Sequence, residues 1–191
     1  PATSSPSPSF NSTFTVVYFG TTVNVLLNDG DGAFNVLTTT PTAQLMVLDV
    51  ADLDDDGDDD LVGISSNDVL YGYFNDGNGA LTEQQLLVGT QGIPRHILTY
   101  DINGDGYPDV VWARSNGYDH KTYAALNNGD GTLGGNFIVD PSAESTASLA
   151  FADVNGDVVP DLVESRFHTI AWQENHFFDA YRLRGDVFKR S

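Results

Sequence analysis

Cysteine is absent from this chain of 191 residues, and methionine occurs once. Without cysteine the chain forms no disulfides and no thiolate metal sites. Basic residues are also scarce, because eight Lys and Arg stand against 27 Asp and Glu, for a net charge of −19. Such a charge repels phosphates, so nucleic acids and anionic membrane surfaces are excluded as general partners. The composition favours cations instead.

Long apolar runs are missing as well. No stretch of about 18 apolar residues occurs, so we expect no membrane insertion. The N-terminal residues do not show the basic segment followed by an apolar segment that is typical of an export signal. The opening segment, residues 1–13, is rich in Pro, Ser and Thr, and it contains the glycosylation sequon Asn11-Ser12-Thr13. Both features favour an extracellular or cell-surface setting.

An acidic signature recurs three times along the chain. It reads ADLDDDGDDDLV from Ala51, YDINGDGYPDVV from Tyr100 and ADVNGDVVPDLV from Ala152. The first aspartates of these signatures, Asp52, Asp101 and Asp153, are 49 and 52 residues apart. A spacing of this size predicts a repeat architecture.

A second signature alternates with the first. It reads LLNDGDGAF from Leu26, YFNDGNGAL from Tyr73, ALNNGDGTL from Ala125 and, in degenerate form, AWQENHFF from Ala171. Its Asn, Asp and Gly residues supply the positive-φ positions of a hairpin turn.

Short runs of Val, Leu, Ile and Tyr between the signatures are typical of strands joined by tight turns. In the second repeat the predicted strands are Gln44–Asp49, Asp60–Ile64, Val69–Phe74 and Ala80–Leu87. Four antiparallel strands repeated about every fifty residues describe a β-propeller blade. The predicted fold is therefore an all-β propeller with about four blades.

These two signatures, in phase, resemble the calcium-binding FG-GAP or VCBS repeat, which also forms the propeller blades of integrin alpha subunits. The resemblance covers residues 14–175, and residues 176–191 remain as a C-terminal strand or tail. Alternating Asp and Asn direct several hard oxygen atoms at one centre, which suits Ca²⁺.

The resemblance implies which residues of each acidic loop bind the ion. The first loop contributes Asp52, Asp54, Asp56, Asp60 and the carbonyl of Asp58. The second contributes Asp101, Asn103, Asp105, Asp109 and the carbonyl of Tyr107. The third would contribute Asp153, Asn155, Asp157 and Asp161, but Val158 stands where the family has glycine. Two calcium sites are therefore expected and the third loop is left open. The side chains of Asp55, Asp58 and Asp59 are expected to face solvent.

The sequence does not provide four complete blades. Phe14–Leu37 provides only three strands of a first blade, and the last strand of the fourth is expected within Phe177–Phe188. The chain is therefore part of a longer propeller, a four-bladed ring, or a partial propeller completed by another chain. In a self-closed ring, a strand from Tyr181–Phe188 would supply the strand that the first blade lacks.

An up-and-down meander separates the charges, with the acidic loops at one end of the blades. The opposite end collects the candidate ligand-binding residues Arg95, His96, Arg114, Tyr118, His120, Lys121, Arg166 and His168. Arg114 and Arg166 occupy the same place in their blades and should project similarly. Arginine beside tyrosine suits an acidic glycan or peptide. The alternative is that these are solvated loop residues. Trp112 and Trp172 are expected to pack between blades.

The sequence thus predicts a secreted or surface-exposed, calcium-stabilised propeller module that binds a glycan or an extracellular protein and is not an enzyme. No nucleophile elbow or phosphate-binding loop is recognisable. One alternative is a structural subunit whose incomplete blades pair with further copies of itself in an oligomer or filament. Another is the propeller part of a polysaccharide-degrading enzyme.

Overall fold

Four antiparallel β-sheets follow one another along the chain, each built from consecutive strands. The computed structural model describes residues 14–19, 21–28, 33–90, 92–117, 119–141, 146–166, 169–175 and 188–190. Among these residues no helix is long and apolar enough to cross a membrane.

The sheets consist of the following strands. The first contains β1 (Phe14–Phe19), β2 (Thr22–Asn28) and β3 (Phe34–Pro41). The second contains β4 (Leu45–Ala51), β5 (Asp60–Ser65), β6 (Val69–Asn75) and β7 (Leu81–Val88). The third contains β8 (Ile93–Tyr100), β9 (Asp109–Asn116), β10 (Asp119–Ala125) and β11 (Phe137–Asp140). The fourth contains β12 (Thr146–Ala152), β13 (Asp161–Arg166), β14 (Ile170–Asn175) and β15 (Phe188–Arg190).

The predicted all-β fold of propeller blades is confirmed. The four strands predicted for the second repeat lie within two residues of β4 to β7 at each end. The first sheet has three strands, as the sequence predicted. Alternation of apolar side chains with period two explains this agreement, because it fixes both the strand and the face that it buries.

The C-terminal strand completes the fourth sheet. Asn175 pairs with Phe188, so β15 is the outer strand beside β14. This pairing agrees with the expected last strand of the fourth blade, and β15 is not the strand that a self-closed ring would need in the first blade. A single antiparallel pairing with the preceding strand is also the shorter connection. Of the region predicted for this strand, only Phe188 is a described residue.

Successive sheets pack face to face through three apolar clusters. Val23 and Val25 of the first sheet meet Leu45, Leu61 and Tyr73 of the second. The second and third sheets meet through Val62, Ile64, Leu70, Trp112 and Tyr123, among others. The third and fourth meet through Val111, Ala113, Ala124, Leu149 and Leu162, among others. No cluster of the described residues joins the first sheet to the fourth, so these residues form consecutive blades without a closed ring.

The first strands of the complete sheets lie side by side at the centre. Asp49 of β4 accepts hydrogen bonds from the backbone N–H and the hydroxyl of Thr99 on β8, at 2.6 and 2.8 Å. Tyr100 of β8 stacks on Phe151 of β12 with ring centroids 4.6 Å apart. The loops that follow these three strands therefore emerge together at one end of the molecule, and they are the three acidic loops.

Candidate metal centre

Each acidic loop is held by its first and last aspartates. In the first loop, Asp52 accepts hydrogen bonds from the backbone N–H groups of Asp56 and Gly57, at 3.2 and 3.0 Å. Asp60 accepts from the N–H groups of Leu53 and Asn75, both at 2.9 Å. The last aspartate thereby ties the start of the loop to the turn that ends β6.

The other two loops repeat this pattern at equivalent positions. Asp101 accepts from the N–H groups of Gly104, Asp105 and Gly106, and Asp109 from those of Ile102 and Asn127. Asp153 accepts from Gly156, Asp157 and Val158, and Asp161 from Val154 and Asn175. The aspartates therefore have a structural role in all three loops, whether or not an ion is bound.

The sharp turn inside each loop needs two residues with positive φ. In the second loop both are glycines, Gly104 at 77° and Gly106 at 96°. The first loop has Asp55 at 61° followed by Gly57, and the third has Gly156 followed by Val158 at 73°. Aspartate tolerates this conformation, whereas a β-branched residue adopts it only with strain. The third loop thus keeps the family conformation despite Val158, at a cost in conformational energy.

A cluster of carboxylates in the first loop has the composition of a cation site. One oxygen atom from each of Asp52, Asp54 and Asp60 lies within 4.8 Å of the others. The Oδ1 atom of Asp54 is buried and has no hydrogen-bond partner among the described residues. A buried acceptor without a donor is costly, and a hard oxygen set of this kind is the one that Ca²⁺ prefers. The residues present fit such an ion.

Burial and like charge act on the protonation of this cluster. Desolvation raises the pKa of Asp60 to about 7, and the charges of Asp54 and Asp56 add to the effect. Desolvation, with the charges of Asp56 and Asp52, also raises the pKa of Asp54. In the second loop, desolvation raises the pKa of Asp109 to about 6. A bound cation would favour the ionised form of each carboxylate.

A family model described as an FG-GAP-like repeat matches the chain twice, over residues 52–112 and 101–164. Together the matches cover more than half of the 191 residues. The chain belongs to the FG-GAP-like repeat family. No curated protein sequence matches it.

One solved structure to which the chain is similar is a mutant Tc holotoxin pore from Photorhabdus luminescens. The two chains are 18% identical with a TM-score of 0.49 over 96% of this chain. The present chain spans 9% of that toxin chain's length. A similarity at this level says nothing about function.

Consecutive FG-GAP-like repeats are joined by an asparagine that follows the third strand of each blade. The amide of Asn127 donates to the carbonyl of Leu53 in the preceding acidic loop, at 2.8 Å. Asn175 donates in the same way to the carbonyl of Ile102, at 3.2 Å. The backbone N–H of Gly131 also donates to the carbonyl of Leu53, at 3.1 Å. The first and second acidic loops are thus each held by the turn of the next blade.

These asparagines were missed as site residues from the sequence, although they open the second signature of each repeat. Their position was interpreted only as part of a hairpin turn. The contact joins residues 74 and 73 positions apart, so no local pattern predicts it. The in-phase recurrence of both signatures was the available signal.

The next blade decides how deeply each loop is buried. Leu53 and Ile102 are 1% and 0% exposed, whereas Val154, the equivalent residue of the third loop, is 46% exposed. Asp58 and Asp59 of the first loop are half-buried, so the expectation that they face solvent is wrong, while Asp55 is exposed as expected. Asp56 and Asp105 are exposed, Asp101, Asn103 and Tyr107 are half-buried, and Asp153, Asn155 and Asp157 are exposed.

Arg114 and Arg166 hold equivalent positions at the opposite end, as the sequence indicated, but they do not form an exposed surface. Arg114 is 3% exposed, and its guanidinium donates to the hydroxyl of Tyr123 at 2.7 Å. The side chain of Arg166 is 9% exposed and forms ion pairs with Asp140 and Glu164. Strand alternation points both guanidinium groups between sheets, where a buried charge requires such partners. Their ligand-binding role stays a prediction.

The other candidate residues at that end are spread over several environments. Arg95 is exposed, and His96, His120 and Lys121 are half-buried. The Nδ1 atom of His96 accepts a hydrogen bond from the backbone N–H of Leu149 at 3.4 Å. Tyr118, His168 and Asn11 lie outside the described residues. Trp112 is fully buried between the second and third sheets, as expected, and Trp172 is half-buried.

Proposed function

We propose that this chain is an extracellular β-propeller module in which Ca²⁺ bound to the acidic loops stabilises the packing of successive blades. In this proposal the module recognises an acidic glycan or a protein ligand and catalyses no reaction. The observation that supports it best is the cluster of Asp52, Asp54 and Asp60, with the buried, unpartnered Oδ1 atom of Asp54.

The ion would act on the junction between blades as well as on its own loop. Leu53 lies between Asp52 and Asp54, and its carbonyl accepts hydrogen bonds from Asn127 and Gly131 of the next blade. Neutralising the repulsion among Asp52, Asp54 and Asp60 would fix the backbone that presents this carbonyl. Without the ion, a more flexible loop would weaken the hydrogen bonds from the next blade to the carbonyl of Leu53. Extracellular calcium, in the millimolar range, suits sites of about 10⁻⁴ to 10⁻³ M.

The recognition part is supported by the distribution of charge. The acidic loops lie at one end, and the exposed Arg95 near the start of β8 lies toward the other. The carboxylates of the loops accept backbone hydrogen bonds, which commits them to structure instead of acid–base chemistry. Binding of the chain to sulfated and carboxylated glycans tests this part. Weaker binding by Arg95→Ala than by the unmodified chain supports it. If the unmodified chain binds none of these glycans, this part is contradicted.

Calcium-dependent stability tests the metal part. Urea denaturation of the unmodified chain should show a gain of about 1.4 to 2.7 kcal/mol for each occupied loop in 10 mM calcium over chelator, for dissociation constants of about 10⁻³ to 10⁻⁴ M. Asp54→Ala should lose the share of the first loop, about 1.4 kcal/mol or more, with little change in chelator, because the repelling charge that it removes offsets the loss of a hydrogen bond from the backbone of Asp56.

Asp55→Gly is the matched control for Asp54→Ala. It also removes one aspartate from the loop, and the other two loops have glycine at this position, Gly104 and Gly156. Its calcium-dependent gain should equal that of the unmodified chain. Equal gains in Asp54→Ala and Asp55→Gly contradict the proposed site.

A further inference from the structure

The fourth sheet exposes a face that its neighbours bury. This trailing face consists of Ala150, Val163, Ile170 and Trp172. Ile170 is 79% exposed, whereas the residues at its position in the second and third repeats, Leu70 and Thr122, are 0% and 1% exposed. The difference arises because each of those sheets is covered by the next one and the fourth is not covered by another described sheet.

The first sheet exposes the complementary face. This leading face consists of Leu26, Phe34 and Val36, which share one side of β2 and β3. Phe34 is 45% exposed and Val36 is 61% exposed. The residues equivalent to Phe34 in the next two repeats, Leu81 and Leu133, pack against the cluster shared with the preceding sheet. The leading face therefore has the composition of a surface that a preceding blade covers.

The hydrogen bond from an asparagine to a loop carbonyl, which joins consecutive blades, also lacks a partner at the fourth sheet. The carbonyls of Leu53 and Ile102 are held by Asn127 and Asn175 of the next blade. The third carbonyl of this series belongs to Val154, and no donor of the described residues contacts it. By sequence, Asn28 at the end of β2 opens the same turn signature in the first repeat.

Charge favours contact between these two faces in a chain that is otherwise strongly acidic. None of the three strands of the first sheet contains an Asp, Glu, Lys or Arg residue. The four residues of the trailing face are uncharged as well, and the one charged residue beside them on the same side of β14, Glu174, pairs with Lys189 of β15. Two copies with a net charge of −19 repel in most orientations, whereas in this pairing uncharged strand residues meet and the third loop is the one acidic loop at the contact, through Val154.

We propose that the trailing face of one copy packs on the leading face of a second copy, head to tail, and repeats the junction that joins blades within the chain. By its place in the repeat, Asn28 of the second copy is the residue that would stand opposite the carbonyl of Val154 in the first. Because the two surfaces differ, the contact is heterologous and either closes into a ring or continues as a filament. The proposal needs no bound metal.

Light scattering on the full chain tests this proposal, in chelator and in calcium and over a range of protein concentrations. We expect the mass to rise with concentration to at least twice 20.6 kDa in both buffers. Ile170→Lys and Val36→Glu should each remain at the mass of one chain, because each places a charge in the apolar contact. Val88→Lys is the matched control, since Val88 is 65% exposed on the second sheet, and it should assemble as the unmodified chain does.

Mixing the two single variants separates a head-to-tail contact from a symmetric one. Ile170→Lys retains an intact leading face and Val36→Glu retains an intact trailing face, so a mixture should form mixed dimers. A mixture that stays monomeric, while the unmodified chain assembles, overturns the head-to-tail arrangement. An unmodified chain that is monomeric at all concentrations overturns the proposal altogether. A missing calcium effect on stability would leave both results unchanged and would concern only the metal site.

Discussion

The loop of residues 52–60 and the loop of residues 153–161 have the same hydrogen-bonded frame and different surroundings. In both, the first aspartate binds the turn and the last binds the start of the loop. The first loop is covered by the turn of the following blade, and its carboxylates form a close cluster. The third loop has no such cover among the described residues and has Val158 in a left-handed conformation. The repeat therefore fixes the frame and buries the last aspartate of both loops, whereas the neighbouring blade determines how exposed the start of the loop is.

The largest expected effect is the loss of stability when the last aspartate of one of these loops is replaced. Asp60→Ala leaves the buried N–H groups of Leu53 and Asn75 without an acceptor, which should cost about 3 kcal/mol. Asp161→Ala should cost about half as much, because Val154 is 46% exposed and water replaces one acceptor. Urea denaturation without calcium measures both. Equal losses would show that the covering blade does not matter.

The second prediction concerns pH. A folded-state pKa of about 7 for Asp60 and about 6 for Asp109 lies above the ordinary value of about 4. The folded chain then binds more protons than the unfolded chain between pH 4 and 7. The calcium-free free energy of unfolding should therefore fall as pH rises through this window, by about 1 kcal/mol or more.

Asp60→Asn should flatten part of this fall, because its side chain does not titrate. Saturating calcium should also reduce or reverse the slope, since the ion favours the ionised carboxylate. Urea denaturation at several pH values gives the measurement. A calcium-free stability that rises from pH 4 to 7 would contradict the cause given for these pKa values.

The smallest expected effect is the change in stability when valine and glycine are exchanged at the sixth position of the acidic loop. Val158→Gly should stabilise the chain by about 1 kcal/mol, because glycine adopts the positive φ of 73° without strain. Gly57→Val should destabilise it by about 1 to 2 kcal/mol. A Cβ atom at Gly57 meets no atom within 4 Å, so this cost is conformational. Changes of the same sign in both variants would rule out the assigned strain.

The sequence predicted the positions of the strands better than it predicted the environment of individual side chains. The boundaries of β4 to β7 follow from alternating apolar residues and from glycine and asparagine at the turns, which are local features. The equivalent positions of Arg114 and Arg166 followed from counting within the repeat. Their burial did not, because it depends on Tyr123, Asp140 and Glu164, which the fold brings from other strands.

The acidic loops show the same limit. Seven aspartates between Asp52 and Asp60 indicate a cation, and the family pattern names the candidate ligands. The partial burial of Asp58 and Asp59 and the contact of Asn127 with Leu53 depend on turns that the sequence pattern cannot place beside the loop. The asparagine contacts between blades join residues more than seventy positions apart, and the alternation within one blade carries no information about them.

The asparagine that joins consecutive blades has a consequence for how such chains change in length. The junctions that follow the second and third sheets use the same two positions of the repeat, a loop carbonyl of one blade and the asparagine amide at the end of the third strand of the next. Duplicating or deleting one whole unit of about fifty residues therefore leaves every remaining junction with both partners. Removing half a unit would separate a carbonyl from its donor. Growth by whole units is thus the route that keeps the chain foldable at every step.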